Sequence, residues 1–90
     1  MRDIRFWDID RVLRMSSVYS DEYQLVIKTL KASRCEQGIT QSQLAASLGK
    51  PQSFVSKVES GERRLDIIEF VHIASLLSLD PDDLLKNLLR

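Results

Sequence analysis

Gln52, Ser53, Ser56 and Lys57 lie in one short stretch, interleaved with Val55 and Val58. Val55 and Val58 are three residues apart, a spacing that puts both on one face of a helix and pins that face in a core. The amide, hydroxyl and ammonium groups of Gln52, Ser53, Ser56 and Lys57 then fall largely on the opposite, polar face. Such groups recognise by hydrogen bonding and charge. Just before them, Leu44 and Leu48 fill the inner face of a shorter helix, and Ala45 is small where a second helix must cross it. Gly49 sits where a tight turn is easiest without a side chain. Two short helices in this relation form a helix-turn-helix, whose second helix is offered to a DNA major groove.

Other residues that carry reactive groups do not assemble. His72 stands alone within an apolar helix, with no carboxylate or serine spaced to make it a base, and reads as a flank of the core. Cys35 reads as a small hydrophobe of a reducing compartment. One cysteine and one histidine exclude an internal disulfide and a Cys/His zinc finger. Asp80, Asp82 and Asp83 look like a metal cluster until Pro81 is noticed, and a helix-start cap accounts for all three. There is no glycine-rich phosphate loop and no pair of catalytic carboxylates. The chain is therefore expected not to be an enzyme and to need neither metal nor cofactor.

The elements that position the polar face are helices. Asp21 and Glu22 suit the first turn of a helix capped by Ser20, followed by Tyr23, Val26, Ile27 and Leu30 at three- and four-residue spacing, with Gly38 to end it. Thr40-Gln41-Ser42-Gln43 has the form of a capping box. Pro51 suits the first position of the third helix, which runs to about Ser60 before Gly61. Asp66 caps a fourth helix from Ile67 to about Leu79, apolar around most of its circumference and so expected at the centre of the core. Asp80-Pro81-Asp82-Asp83 then opens a fifth, carrying Leu84, Leu85, Leu88 and Leu89. Ninety residues make one domain, 43% hydrophobic and 29% charged, which places it with soluble globular chains and leaves no room for a deep pocket. A small-molecule effector is accordingly not expected. No apolar run approaches the ~18 residues of a membrane span and no signal peptide opens the chain, so a cytoplasmic, nucleoid-associated protein without a membrane partner is expected.

Net charge is zero, which taken alone argues against nucleic acid. The charges are nevertheless segregated. Residues 28–64 carry seven basic and three acidic side chains, a net of +4, between flanks of −1 and −3. A local patch, not the total, attracts phosphate.

Thr40-Gln41-Ser42-Gln43-Leu44-Ala45, Leu48-Gly49 and Gln52-Ser53-Phe54-Val55-Ser56-Lys57-Val58-Glu59-Ser60-Gly61 together resemble the helix-turn-helix domain of phage repressors and Cro proteins, the XRE family. The resemblance runs over about residues 24–85 and takes in Leu79 to Leu85. It implies an all-α, lambda-repressor-like DNA-binding domain, a five-helix orthogonal bundle containing the helix-turn-helix. In such a domain Gln41 would touch a phosphate and brace the recognition helix (residues 51–60). Gln52 would read a base edge, pairing two ways with adenine N6 and N7. Ser53 and Lys57 would face the groove, Lys57 giving to guanine O6/N7 or to phosphate, and Ser56 would reach the backbone. Ser60 belongs to the same DNA-facing set, and Arg63 and Arg64 look like phosphate clamps. Arg34 and Glu59 match a buried ion pair of the family. Lys50 and Pro51 depart from its usual residues, with Lys50 expected to point outward toward phosphate. Phe54 is bulkier than usual and is open to either packing or contact with a thymine methyl.

The chain divides into residues 1–20, an N-terminal arm or short helix containing Phe6 and Trp7, and a domain over residues 21–90. Residues 1–14 are open to being an upstream extension, because Met15 is a second plausible start. The function implied is sequence-specific binding of double-stranded operator DNA by a homodimeric transcriptional regulator, a repressor by type. The leucines of the last helix are open to forming the dimer surface or closing the core. The rival reading is a protein-interaction module, an antitoxin or adaptor, motivated by that leucine-rich end and the aromatic arm.

Overall fold

The computed structural model describes residues 21–88, which form five helices and no strand. Helix α1 (Asp21–Glu36) starts with two acids and buries Ile27 and Leu30, with Tyr23 and Val26 half-buried beside them. The expected cap, Ser20, lies outside the described residues, as do Phe6, Trp7 and Leu89. The chain leaves α1 through Gly38 at φ 70°, where the Ile39 amide donates back to the Arg34 carbonyl at 3.1 Å.

Helix α2 (Gln41–Leu48) opens on the expected capping box: Thr40 Oγ1 accepts from the Gln43 amide at 3.0 Å, and the Thr40 amide donates to Gln43 Oε1 at 2.8 Å. Gly49, at φ 68°, closes it. Helix α3 (Gln52–Ser60) begins one residue later than the sequence predicts. Proline fixes φ but leaves ψ free, and Pro51 takes the extended ψ of 155°. It therefore precedes the helix and offers its carbonyl to the Phe54 amide at 2.9 Å.

Helix α4 (Ile67–Leu76) is shorter than predicted. The chain turns at Ser78, a non-glycine residue at φ 58°, and the Leu79 amide returns to the Ala74 carbonyl at 2.8 Å. Nothing in the sequence punctuates that turn, because serine there carries no glycine-like signal. One arc of α4, Phe70, Ile73 and Ala74, continues through Leu77 into the core. The other apolar arc is not buried. Ile67 and Ile68 are 61% and 60% exposed, so the expectation of a helix enclosed on most sides is corrected to one embedded on a single side. Helix α5 (Pro81–Leu88) starts as expected, with Asp80 Oδ1 accepting from the Asp82 amide at 2.9 Å. Leu84 packs against the core and Leu85 is 41% exposed.

The core forms where α2, α3 and α4 meet over α1, around Leu44, Ala45, Val55, Val58 and Ile73. Gln37 ties the end of α1 to the end of α4 by donating to the Leu77 carbonyl at 2.7 Å. Cys35 and His72 are both exposed, so His72 does not flank the core as the sequence suggests. Among the described residues no helix is long and apolar enough to cross a membrane, and no acidic, histidine or cysteine group is arranged to hold a metal.

Candidate nucleic-acid interface

Helix α3 is split into two faces by its own sequence. Phe54, Val55 and Val58 are buried, while Gln52, Ser53 and Lys57 are exposed and Ser56 is half-buried. Gln52 and Ser53 stand in the first turn and Lys57 one turn on, so the three share an outward strip. Lys50 and Pro51 are exposed at the entrance to the helix, and Arg63 and Arg64 at its exit. Ser60 is exposed, and its hydroxyl donates to the Lys57 carbonyl at 3.1 Å.

A hydrogen-bonded chain connects this strip to the interior. Arg34 is buried, with Nε 2.7 Å from Glu59 Oε2 and Nη2 2.9 Å from Glu59 Oε1. Its Nη1 donates to the Ile39 carbonyl at 2.7 Å, which anchors the turn before α2. Gln41 Nε2 donates to Glu59 Oε1 at 2.9 Å. An ionised carboxylate only accepts, so Gln41 must present its nitrogen to Glu59 and its oxygen elsewhere. That oxygen accepts from Gln52 Nε2 at 3.1 Å. Gln52 keeps its own oxygen and one amide hydrogen, the acceptor and donor needed to engage an adenine edge two ways. Burial opposes ionisation of Glu59, but the hydrogen bonds from Arg34 and then Gln41 outweigh it and hold the carboxyl below its ordinary range. The same bond with Glu59 raises Arg34 above the usual guanidinium value against the desolvation that opposes it. Glu59 is thus neutralised from inside and does not subtract from the positive potential of the outer strip.

The second cluster was not visible in the sequence. Phe54 is only 8% exposed, so its ring belongs to the packing and presents little surface to a groove. The Arg63 guanidinium lies 4.6 Å from the ring centroid and Lys50 Nζ 5.5 Å from it. Arg63 also bonds both oxygens of Glu69, at 2.9 and 3.1 Å, and donates to the Arg64 carbonyl at 3.0 Å. Glu69 in turn completes a capping box on α4: it accepts from the Asp66 amide at 3.1 Å, and Asp66 Oδ1 accepts from the Glu69 amide at 2.7 Å. The signal for that box, an Asp three residues before a Glu at a helix start, is present in the sequence. The Arg63 contact, made across a loop, has no such signal. Arg64 lies 5.6 Å from the ring of Tyr23, whose hydroxyl accepts from the Leu65 amide at 3.2 Å.

Eight of the ten residues that the sequence marks for DNA therefore fall into three groups, with Ser56 and Ser60 outside them. Gln41 and Gln52 are joined to each other and to the Arg34–Glu59 pair. Lys50, Phe54 and Arg63 are gathered around one ring. Ser53 and Lys57 stand outward on α3, and Arg64 is exposed near Tyr23.

The helix-turn-helix family HTH_3 matches residues 30–84, which include all of α2, α3 and α4. An XRE-family-like protein from Pseudomonas syringae pv. tomato str. DC3000 is similar in structure, with a TM-score of 0.72 and 42% identity, over 90% of this chain and 93% of that one. No curated protein sequence matches significantly. Five helices with a helix-turn-helix at their centre, a family match over more than half the chain and this structural neighbour agree: the chain belongs to the XRE family of helix-turn-helix proteins, DNA-binding transcription regulators of lambda-repressor-like fold.

Proposed function

We propose that this protein binds a specific double-stranded operator as a homodimer and represses transcription, with α3 entering the major groove. The observation that carries the reading is the division of α3: Phe54, Val55 and Val58 hold it in the core while Gln52, Ser53 and Lys57 stand exposed on its outer strip. Gln52 reads an adenine edge, its amide oriented by Gln41, and Lys57 meets guanine or phosphate. Lys50 and Arg64 contact the phosphates on either side. Residues 21–90 are the binding domain, and residues 1–20 an N-terminal arm or short helix, or in part an upstream extension. The protein acts in the cytoplasm without catalysis, cofactor or metal.

A second copy is read from the apolar surface that the described residues leave open. Ile67 and Leu85, with Tyr23, Val26, Leu65 and Phe70, line an open groove of about 310 Å³, and Ile68, the next residue of α4, is also exposed. A single short recognition helix touches too few bases for useful specificity, and two half-sites about 10 base pairs apart supply the rest. The same surface also favours the rival reading, in which it receives a different protein as an antitoxin or adaptor would.

Two variants test the recognition assignment. Lys57→Gln is expected to weaken the specific complex and to flatten the log–log salt dependence by about 0.9 if it meets phosphate. Gln52→Ala is expected to cost about 1–3 kcal/mol of discrimination at one base position. Both should unfold like the parent. Parent-like binding by both variants sinks the assignment. Capture of a partner protein that survives high salt, without salt-sensitive DNA binding, favours the rival.

A further inference from the structure

The contacts of Arg63 point to a role different from the one its position suggests. An arginine just past a recognition helix looks like a phosphate clamp, yet this guanidinium is already engaged. Both hydrogens of Nη1 are used, on Glu69 Oε1 and the Arg64 carbonyl, and Nη2 spends one on Glu69 Oε2. Its face lies on Phe54. The fork-to-fork pairing with a carboxylate and the stacking on a ring both require the planar guanidinium.

What this cluster joins is informative. Phe54 lies in the first turn of α3, whereas Arg63 follows Gly61 at its far end, so the contact folds the exit loop back along the helix to its entrance. Glu69 is itself fixed in the first turn of α4 by its reciprocal bonds with Asp66. The path Glu69–Arg63–Phe54 therefore ties the start of α4 to the start of α3. Lys50, exposed and next to the same ring, is the cation of this cluster with no carboxylate of the described residues bonded to it.

We propose that Arg63, held by Glu69 and stacked on Phe54, is a positioning residue that sets the N-terminal turn of the recognition helix, and that Lys50 is the phosphate contact of this cluster. The proposal rests on the DNA-binding reading for its effect on affinity, but the strut itself exists in the free protein and is tested there too.

The experiment measures duplex affinity across a range of salt for the full chain and for Arg63→Lys, Arg63→Gln, Glu69→Gln and Lys50→Gln, with helix content checked by circular dichroism. A strut and a clamp give opposite results. As a strut, Arg63→Lys fails although it keeps the charge. It and Arg63→Gln weaken binding by roughly tenfold at every salt concentration, with the slope unchanged. Glu69→Gln also weakens binding, although it removes a negative charge. Lys50→Gln alone flattens the slope, by about 0.9. As a clamp, Arg63→Lys binds like the parent, Arg63→Gln flattens the slope, and Glu69→Gln tightens the complex by freeing a cation; this outcome overturns the proposal.

Nuclear magnetic resonance of the free chain decides the matter even if no duplex is bound. The Arg63 side-chain signals should carry a ring-current shift that Phe54→Leu abolishes, and Glu69→Gln should move the amide signals of residues 52–55. If Glu69→Gln moves only residues 61–70, Arg63 does not position α3.

Discussion

Replacing Arg34 with methionine removes the cation from an almost dry pair. The side chains of Arg34 and Glu59 are 9% and 8% exposed, and the guanidinium makes three charge-assisted bonds of 2.7, 2.7 and 2.9 Å. Methionine fills much of the volume but leaves the Ile39 carbonyl without this donor and Glu59 with Gln41 alone. Leaving one partner of a buried pair uncompensated costs about 3–5 kcal/mol. A domain of this length has roughly 5–13 kcal/mol in total, so a large fraction of the stability goes. Urea unfolding followed by far-ultraviolet circular dichroism reads the loss directly. Arg34→Met combined with Glu59→Leu should recover most of it and stay within about 2 kcal/mol of the parent, because replacing both charges with apolar groups removes the stranded carboxylate. The effect also has a pH signature. Glu59 titrates below its ordinary value when folded, so the contribution of the pair is complete above the unfolded carboxyl pKa of about 4.3 and disappears as pH falls through the lowered folded value. The gap between parent and Arg34→Met should therefore narrow in acid. A loss below 1 kcal/mol, or a double variant as costly as the sum of its parts, would mean that Arg34 and Glu59 are not coupled as a buried pair.

Gly61 sits at φ 85°, and among the described residues only Gln24 Nε2 comes near the place of a Cβ, at 4.0 Å. Gly61→Ala should thus cost the backbone penalty alone, about 1–2 kcal/mol by urea unfolding, and a larger loss would mean a steric clash the structure does not contain. Ile68→Asp, at a position 60% exposed, should leave the monomer's stability within about 0.5 kcal/mol while shifting sedimentation toward the monomer. A dimer unaffected by it would place the interface elsewhere.

Local chemistry made much of this fold legible. Thr40 with Gln43, Gly49, Gly61 and Asp66 each act on their own turn, and their positions delimit α2, α3 and the start of α4 to within a residue. Where a boundary depends on the rest of the protein, the sequence is silent. Helix α4 stops because Ser78 adopts a positive φ, which serine seldom does without tertiary support. Hydrophobic content likewise cannot say which arc of α4 is covered: Ile73 is buried and Ile68 is not, although both are isoleucine in one apolar run. The candidate site divides in the same way. The outward strip of Gln52, Ser53 and Lys57 follows from helical period once Val55 and Val58 are assigned inward. The Arg34–Glu59 contact joins residues 25 apart and is legible only through family resemblance. The engagement of Arg63 by Phe54 and Glu69 is not legible at all, because it depends on how the exit loop folds back over the ring.

We propose that two copies of this chain read one duplex through α3. Selection of bound sites from random duplex DNA, followed by native mass measurement of the complex, tests it most directly. The expected outcome is enrichment of a two-fold symmetric site with half-sites about 10 base pairs apart, occupied by two chains. Enrichment of no sequence, or a single chain on an asymmetric site, would contradict it.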